Sequence, residues 1–178
     1  VTSAHVDKAV RQALTVPLDD EAAGLFEAIA QADDVLYVAD NAGEIVFDRL
    51  LIEQLLPRRV TVAVRGFAII NDATTADVEA AGLTATVDAI DTGSDAPAVI
   101  LDDCSEAFRE RFWSAGLVIA KGQGNYESLN EVERDVYFLL RVKCPVIARE
   151  VGARVDTLVV RRTRATVPAG AALEDRSA

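Results

Sequence analysis

The sequence predicts an α/β fold with three layers, α/β/α, around a mainly parallel central sheet. Short, almost wholly apolar runs rich in Val, Ile and Leu recur along the 178 residues, and such runs are typical of strands that are buried on both faces. Stretches with apolar residues at helical spacing separate these runs, so strands and helices alternate. Hydrophobic residues make up 51% of the chain, which is enough to cover both faces of a sheet. The length fits one domain of this class.

The predicted strands are short apolar runs that lie at 35–39, 60–64, 84–88, 117–120, 145–148 and 157–160. The predicted helices between them carry apolar residues three and four positions apart and lie at 44–56, 72–82 and 102–116. Pro57 ends the first of these helices, and the second is expected to begin at an Asp72 N-cap and to end at Gly82. The run VYFLL at 136–140 fits either class and is interpreted as helical. On the helix at 102–116, three aromatic residues are expected to share the buried side: Phe108, Phe112 and Trp113.

The chain is predicted to have three parts. Residues 1–30 are expected to form two helices, with Asp19-Asp20 in the N-cap region of the second. Residues 31–162 form the α/β domain. Residues 163–178 are rich in Ala, Pro and charge without a period, which predicts a mobile tail.

The composition excludes several classes of site. The chain has 18 Lys and Arg against 29 Asp and Glu, a net charge of −11, which argues against a face for nucleic acid or for an anionic membrane. The single histidine, His5, lies close to the N-terminus, which argues against Ser-His-Asp or Cys-His catalysis and against a His-rich zinc or iron site. Any chemistry must therefore be carried by carboxylate, amide, Lys and Arg side chains.

The remaining composition is typical of a cytoplasmic globular domain. No apolar run approaches the roughly 18 residues that a membrane span requires, and the opening residues do not resemble a signal peptide. Cys104 and Cys144 are too far apart for a metal or redox motif, and we expect both to be reduced, buried small side chains.

Polar residues follow several predicted strands, and open α/β sheets bind ligands outside the carboxyl ends of their strands. Asp40-Asn41 follows the first strand, Arg65 the second and Lys121 the fourth, with Asp72 further along the second connection. The two aspartates and the asparagine offer hard oxygen ligands, which favour Mg²⁺ or Mn²⁺ where His and Cys are absent. The cations, beside a Gly-flanked helix start, suit a phosphate group. Taken singly, the acids could be helix caps and the lysine solvated, but their joint occurrence favours a site.

Other phosphate-binding and nucleotide-binding motifs do not fit. A P-loop requires GxxxxGK[ST], but Lys121 precedes its glycines. A dinucleotide-binding loop requires GxGxxG after the first strand, whereas the only GxG is Gly122-Gln123-Gly124, late in the chain. A haloacid-dehalogenase-type phosphatase would have a second aspartate at position 42, where this chain has Ala42.

Three segments, YVADNAGEIVFD, VRGFAIINDAT and IAKGQGNYESL, occur in this order and resemble the damage-control phosphatase family, in particular its stand-alone archaeal and bacterial branch. The resemblance covers about residues 34–152. It implies a metal-dependent phosphatase of α/β/α fold that hydrolyses phosphate monoesters of small metabolites, such as sugar phosphates or damaged cofactor intermediates. It also implies a divalent metal, namely Mn²⁺, Mg²⁺, Co²⁺ or Ni²⁺.

By position, the resemblance places the metal ligands at Asp40, Asn41 and Asp72, and the substrate-phosphate lysine at Lys121. It makes the two aspartates and the lysine the catalytic set. Further residues match the lining of the same pocket: Gly43, Glu44, Arg65, Asn71, Asp95 and Asn125. Two features depart from the family. The loop after the third strand has Pro97-Ala98 where Pro-Gly is common, and residues 1–30 are short for the helical domain that members usually carry.

The expected mechanism is direct hydrolysis, in which water activated by the metal attacks the phosphorus in line. Lys121, helped by Arg65, stabilises the phosphoryl oxygens, and Asp40 as a phosphorylated nucleophile is the minor alternative. Two other functions stay open: an S-adenosylmethionine-dependent carboxyl methyltransferase and a non-catalytic metabolite-binding domain. The physiological substrate, the metal and the oligomeric state are not specified by the sequence.

Overall fold

The computed structural model describes residues 21–163 without interruption and, before them, residues 7–8, 10–12 and 14–16. The named helices are α1 (Ala22–Gln31), α2 (Ile45–Leu55), α3 (Thr75–Ala80), α4 (Glu106–Ser114), α5 (Gly122–Leu129) and α6 (Pro145–Glu150). The strands are β1 (Asp34–Val38), β2 (Arg59–Val64), β3 (Asp88–Asp91), β4 (Leu117–Lys121), β5 (Val136–Arg141) and β6 (Leu158–Thr163). A 3₁₀ turn at Leu101–Asp103 precedes α4, and residues 7–8 and 10–12 are helical.

The strands form one six-stranded sheet in the order β3-β2-β1-β4-β5-β6. β1 to β5 run parallel to one another, and β6 is antiparallel to β5. After β1 the chain forms β2 on one side of that strand and later forms β4 on the opposite side of the same strand. A topological switch point therefore lies at the carboxyl end of β1. Val38 pairs with both Ala63 and Ala120, which brings the ends of these three strands level. The predicted α/β class and mainly parallel sheet are confirmed.

Helices cover both faces of the sheet. Along β1, Val35 and Tyr37 pack with the buried faces of α1 and α2, whereas Leu36 and Val38 pack with α4. This alternation follows from the period of two in a strand, and all four side chains are 0% exposed. The result is the predicted α/β/α layering. In the part of the chain described here, no helix has the length and apolar character that crossing a membrane requires.

The predicted first, second and fourth strands are β1, β2 and β4, and the predicted last strand is β6. The predicted helix at 44–56 is α2, which buries Ile45, Ile52 and Leu55 at helical spacing and ends before Pro57. These elements were predictable because their apolar periodicity is strong and their boundaries carry proline or polar residues.

The position predicted for the third strand is wrong by several residues. It was predicted at 84–88 and lies at Asp88–Asp91. The chain makes a turn first, because the Leu83 carbonyl accepts hydrogen bonds from the Thr86 and Val87 amides. The β-branched residues of that segment lie in the turn, although their propensity favours a strand.

Two apolar runs near the C-terminal end were assigned to the wrong class. The run at 136–140 was interpreted as helical but belongs to β5, between β4 and β6. The run at 145–148 was predicted as a strand but belongs to α6, where Pro145 is in the first helical turn and only Ile147 is buried. Apolar runs of four or five residues do not distinguish the two classes by periodicity.

Helix starts and one aromatic residue also differ from prediction. Asp72 is not an N-cap, because α3 begins at Thr75 behind a capping box formed by Thr74 and Asp77. Gly82, with φ +71°, does follow that helix as expected. The helix predicted at 102–116 is α4, shortened by the 3₁₀ turn and capped by Ser105. Phe108 and Phe112 are buried, whereas Trp113 is 49% exposed and lies edge-on to Phe112.

Helix α1 belongs to the core of the α/β domain. Leu25 and Ile29 are buried against the sheet, and the Tyr137 hydroxyl donates to the Gly24 carbonyl at 2.9 Å.

Asp19-Asp20 and residues 164–178 lie outside the described residues, so the predicted cap region and tail stay predictions. Cys104 is buried and Cys144 half-buried, and both are free thiols.

Candidate active site

The candidate site lies where the chain leaves β1, β2 and β4. Asn41 forms an isolated antiparallel bridge with Asp72. Two backbone hydrogen bonds accompany it, from the Ala42 amide to the Asn71 carbonyl at 2.9 Å and from the Ala73 amide to the Asp40 carbonyl at 2.8 Å. The loop after β2 is thereby held against the loop after β1, and two sequence-distant aspartates become neighbours.

Three oxygen-bearing side chains meet at this bridge. Asp40 and Asp72 are each 9% exposed. The Asn41 amide donates to Asp40 Oδ2 at 2.8 Å and to Glu44 Oε1 at 2.7 Å, and its carbonyl oxygen accepts from Asn71 Nδ2 at 2.5 Å. Burial, and after it the charge of Glu44, raise the pKa of Asp40 to about 6 against the opposing charge of Lys143. The Asp40 carboxylate is therefore harder to ionise in this site than in water.

Glycine is required beside Asp40. Gly122 opens α5 with φ +82°, a conformation that side-chain-bearing residues rarely adopt. A Cβ atom at this position would overlap the Asp40 carboxylate. The carboxylate thus occupies the space that any other residue at position 122 would fill, which places it directly over the turn from β4 into α5.

Lys121 lies in a largely buried ion-pair network. Its Nζ atom is 2.8 Å from Asp48 Oδ1 and 3.3 Å from Glu44 Oε2. Burial opposes the charge of Lys121, but the two carboxylates outweigh it and raise the pKa of the ammonium group. Because Glu44 also accepts from the Asn41 amide, one glutamate links the lysine to the oxygen-rich cluster.

Arg65 lies on the other side of the cluster and is 1% exposed. Its Nε donates to Asp72 Oδ2 at 2.7 Å and its Nη2 to Asn125 Oδ1 at 2.9 Å. The Asn125 amide in turn donates to the Lys121 carbonyl at 2.7 Å and to the Ala39 carbonyl at 3.2 Å.

A cavity of about 510 Å³ opens beside these residues. Asp40, Glu44, Lys121 and Lys143 line its polar part. Residues of β5 and β6, 139–141 and 158–160, complete its wall. Its volume is sufficient for a small metabolite.

The donor set fits a hard divalent cation. Asp40, Asn41 and Asp72 together present two carboxylates and an amide oxygen, the ligand types that Mg²⁺ and Mn²⁺ prefer. Within the described residues, His, Cys, Asp and Glu side chains do not converge in groups of three or more at which a metal could bind. The amide oxygen is therefore needed, and further positions would be left to water or substrate oxygens. Burial is the main reason that the pKa of Asp40 is raised, and a bound cation would oppose that rise by favouring the ionised carboxylate.

The structure gathers most of the site residues that the sequence predicted. Eight of them form one contiguous network of hydrogen bonds and ion pairs: Asp40, Asn41, Glu44, Arg65, Asn71, Asp72, Lys121 and Asn125. Gly43 lies in the turn between β1 and α2. Asp95 is exposed on the loop after β3, next to Ser94, whose carbonyl accepts from the Gly66 amide at 3.2 Å. Its role in substrate binding stays a prediction.

Two charged residues of this region were missed. Asp48 is 6% exposed and lies in the buried stripe of α2 between Ile45 and Ile52. A carboxylate at such a position must be paired, and this is the sequence signal that could have identified it. Lys143 lies in the connection between β5 and α6. That connection was not recognised, because both flanking elements were assigned to the wrong class.

We expect Asp48→Asn to lower the free energy of unfolding by about 3 kcal/mol, because it leaves Lys121 buried with a weaker counter-charge. The matched control is Glu53→Gln, which removes the same charge from an exposed pair with Arg49 on the same helix. Such exposed pairs contribute under about 1 kcal/mol. Urea denaturation of both variants measures the difference, and equal losses would contradict a stabilising role for the Asp48–Lys121 pair.

Comparison with known proteins identifies the family. Residues 2–159 match the family described as damage-control phosphatase ARMT1-like domain. The chain is 39% identical to a damage-control phosphatase of Pyrococcus horikoshii over 164 residues, which are 90% of this chain and 56% of that protein. It is 38% identical to a damage-control phosphatase of Archaeoglobus fulgidus, covering 71% of this chain and 46% of that protein. An uncharacterised protein of Methanocaldococcus jannaschii is 42% identical over 72% of this chain and 44% of its own length.

The fold agrees with a solved relative. The crystal structure of a DUF89 family protein from Pyrococcus horikoshii superposes with a TM-score of 0.84 at 37% identity, covering 92% of this chain and 59% of that one. The chain thus spans about half the length of the curated relatives that it matches. The family match over most of the chain and the shared fold lead to one conclusion: the chain belongs to the damage-control phosphatase ARMT1-like family.

Proposed function

We propose that this chain carries the catalytic α/β domain of a metal-dependent phosphatase that hydrolyses phosphate monoesters of small metabolites. The observation that carries the proposal is the pairing of an oxygen-rich cluster with a buried lysine at the switch point of the sheet. The Asn41–Asp72 bridge forms the cluster, and Glu44 connects it to Lys121. Two of the matched relatives are named damage-control phosphatases, which favours this activity over methyl transfer.

Asp40, Asn41 and Asp72 would hold the divalent cation, which we propose to be Mn²⁺, Mg²⁺, Co²⁺ or Ni²⁺. When bound, such an ion supplies Lewis-acid chemistry, polarising a phosphoryl oxygen and making water more acidic. The Asn41 amide orients Asp40 through a hydrogen bond to Oδ2, and Asn71 orients the Asn41 oxygen. Contacts of this kind restrict the rotation of side chains that would bind a metal.

Lys121 is proposed to bind the phosphoryl oxygens. Asp48 and Glu44 take two of the three hydrogen-bond donors of its ammonium group, which leaves one for the substrate. Because these carboxylates keep the lysine charged, it can stabilise the negative charge that develops on the phosphoryl group. The remainder of a small substrate would lie in the cavity, within reach of Lys143.

Phosphate release from a panel of metabolite monoesters tests the proposal, with Mn²⁺, Mg²⁺, Co²⁺ and Ni²⁺ added in turn. We expect turnover with at least one of these metals, its loss in EDTA, and recovery when metal is restored. Turnover that EDTA leaves unchanged would contradict the metal site. Binding of S-adenosylmethionine in calorimetry would favour the methyltransferase, and ligand binding without turnover under every metal would favour a binding domain.

A further inference from the structure

Arg65 is buried more deeply than a substrate contact requires. The resemblance groups it with the pocket residues, and the expected mechanism gave it a share in binding the phosphoryl group. Its side chain is, however, only 1% exposed, whereas that of Lys121 is 16% exposed. An arginine with so little exposed surface acts mainly on its protein neighbours.

Those neighbours link Arg65 to several segments of the chain. Arg65 directly follows β2 and joins Asp72 on the same loop to Asn125 on α5. Asn125, which is 0% exposed, donates to the carbonyl of Ala39, which directly follows β1, and to that of Lys121, the last residue of β4. Its oxygen also accepts from the Val99 amide at 3.3 Å. The Arg65–Asn125 pair therefore connects the segments that carry Asp40, Asp72 and Lys121.

Asp72 needs such a constraint. It lies on a loop, outside any helix or strand. Its backbone is held by the bridge to Asn41 and by a hydrogen bond from its amide to the Ile69 carbonyl at 2.9 Å, but neither contact sets the direction of its carboxylate. The Arg65 contact uses only Oδ2 of its carboxylate. A planar guanidinium held at both ends fixes the direction of the bound carboxylate, which a lysine at this position would not do.

We propose that Arg65, held in place by Asn125, is a positioning residue that orients Asp72 toward a divalent cation and does not bind the substrate phosphate. This inference rests on the proposed function, because Asp72 is a metal ligand only under that proposal. One atom allows the opposite role: Arg65 Nη1 is buried and has no hydrogen-bond partner among the described residues. A phosphate oxygen that reached Nη1 would make Arg65 a substrate contact, and the experiment must separate the two roles.

Two measurements on the variants Arg65→Lys and Asn125→Ala separate the positioning role from the phosphate-binding role. The first is the Kd for Mn²⁺ by calorimetry without substrate, and the second is KM for the phosphate ester at saturating Mn²⁺. Loss of an interaction that orients a metal ligand weakens metal binding by about 10- to 100-fold. We expect a weakening of this size for Arg65→Lys and a smaller one in the same direction for Asn125→Ala. KM at saturating Mn²⁺ should change by less than about threefold, because substrate binding itself is untouched.

Arg111→Lys is the matched control. Arg111 is also largely buried and pairs with an aspartate, Asp34, at 2.7 Å, and with Thr61 at 3.1 Å. Asp34 begins β1, so this pair lies at the end of the strand opposite to Asp40. We expect Arg111→Lys and Arg65→Lys both to lower the melting temperature, and we expect Arg111→Lys to leave the Mn²⁺ affinity unchanged.

The outcomes are distinct. An unchanged Mn²⁺ affinity with a raised KM in Arg65→Lys would make Arg65 a phosphate contact and overturn the inference, as would no change in either quantity. If Arg65→Lys does not fold, Asn125→Ala decides by the same two measurements. If the unaltered protein binds Mn²⁺ and releases phosphate while the variants keep their affinity, the inference fails and the proposed function stands. If the unaltered protein binds no divalent cation, both fail.

Discussion

Asp40→Asn should reduce metal-dependent phosphate release by about a thousandfold or more. Removing a charged ligand takes away several kcal/mol of stabilisation, and each 1.4 kcal/mol or so corresponds to a factor of ten in rate. The substitution keeps the shape of the side chain, and its amide oxygen can still accept from Asn41. Steady-state kinetics with Mn²⁺, together with calorimetric titration of Mn²⁺, measures the effect.

The same substitution should stabilise the metal-free protein at neutral pH. Folding raises the pKa of Asp40 from 3.8 to about 6. A carboxyl group whose pKa is raised by folding stabilises the folded state most when it is protonated. This stabilisation is lost as pH rises through about 6. The loss amounts to about 3 kcal/mol above that pH. Urea denaturation in EDTA should therefore show a gain for Asp40→Asn at pH 8 that disappears near pH 4.

Asp33→Asn is the control for both measurements. Asp33 is exposed and immediately precedes β1, at the far end of the strand from Asp40. Its replacement should leave phosphate release and Mn²⁺ affinity unchanged. An active Asp40→Asn protein with intact Mn²⁺ affinity would show that this carboxylate does not hold the metal.

Gly122→Ala should weaken both metal binding and hydrolysis through a single methyl group. The added Cβ would overlap the Asp40 carboxylate, so either the aspartate or the start of α5 must move. The positive φ adds about 1–2 kcal/mol of backbone strain. We expect a loss of stability beyond that strain and a Mn²⁺ affinity at least about tenfold weaker, measured by urea denaturation and calorimetry.

Gly152→Ala separates the clash from the strain. Gly152 also has a positive φ, +68°, but a Cβ there meets nothing within 4 Å. It should show the strain alone, with unchanged Mn²⁺ affinity and turnover. If Gly122→Ala behaves like Gly152→Ala, the carboxylate does not depend on the space that Gly122 leaves.

Local pattern was sufficient for much of the fold. The apolar runs of β1, β2 and β4 are buried on both faces, and α2 has a buried stripe with proline after it, so each was predicted from periodicity and boundary residues. The same pattern failed for β5 and α6. Their apolar runs are about one helical turn long, and their class depends on neighbouring strands that the local sequence does not specify.

The residues of the candidate site likewise fall into those that local sequence predicted and those that it did not. Asp40, Asn41, Asp72 and Lys121 were predicted because polar residues directly after buried strands, or a short way along the connection, are unusual, and because the three motifs resemble one family. Asp48 was missed because its partner, Lys121, lies 73 residues away in the sequence. Lys143 was missed because the elements on both sides of it were misassigned.

The sequence by itself determined the fold class, the family and the strand ends at which the polar residues gather, since these depend on local periodicity and on residue types at adjacent positions. Only the tertiary structure decided which contacts each polar side chain makes. It pairs Lys121 with Asp48, buries Arg65 between Asp72 and Asn125, and sets Asp40 against Gly122. These contacts depend on strand order and on the pairing of two loops, which bring together residues that are far apart in the chain.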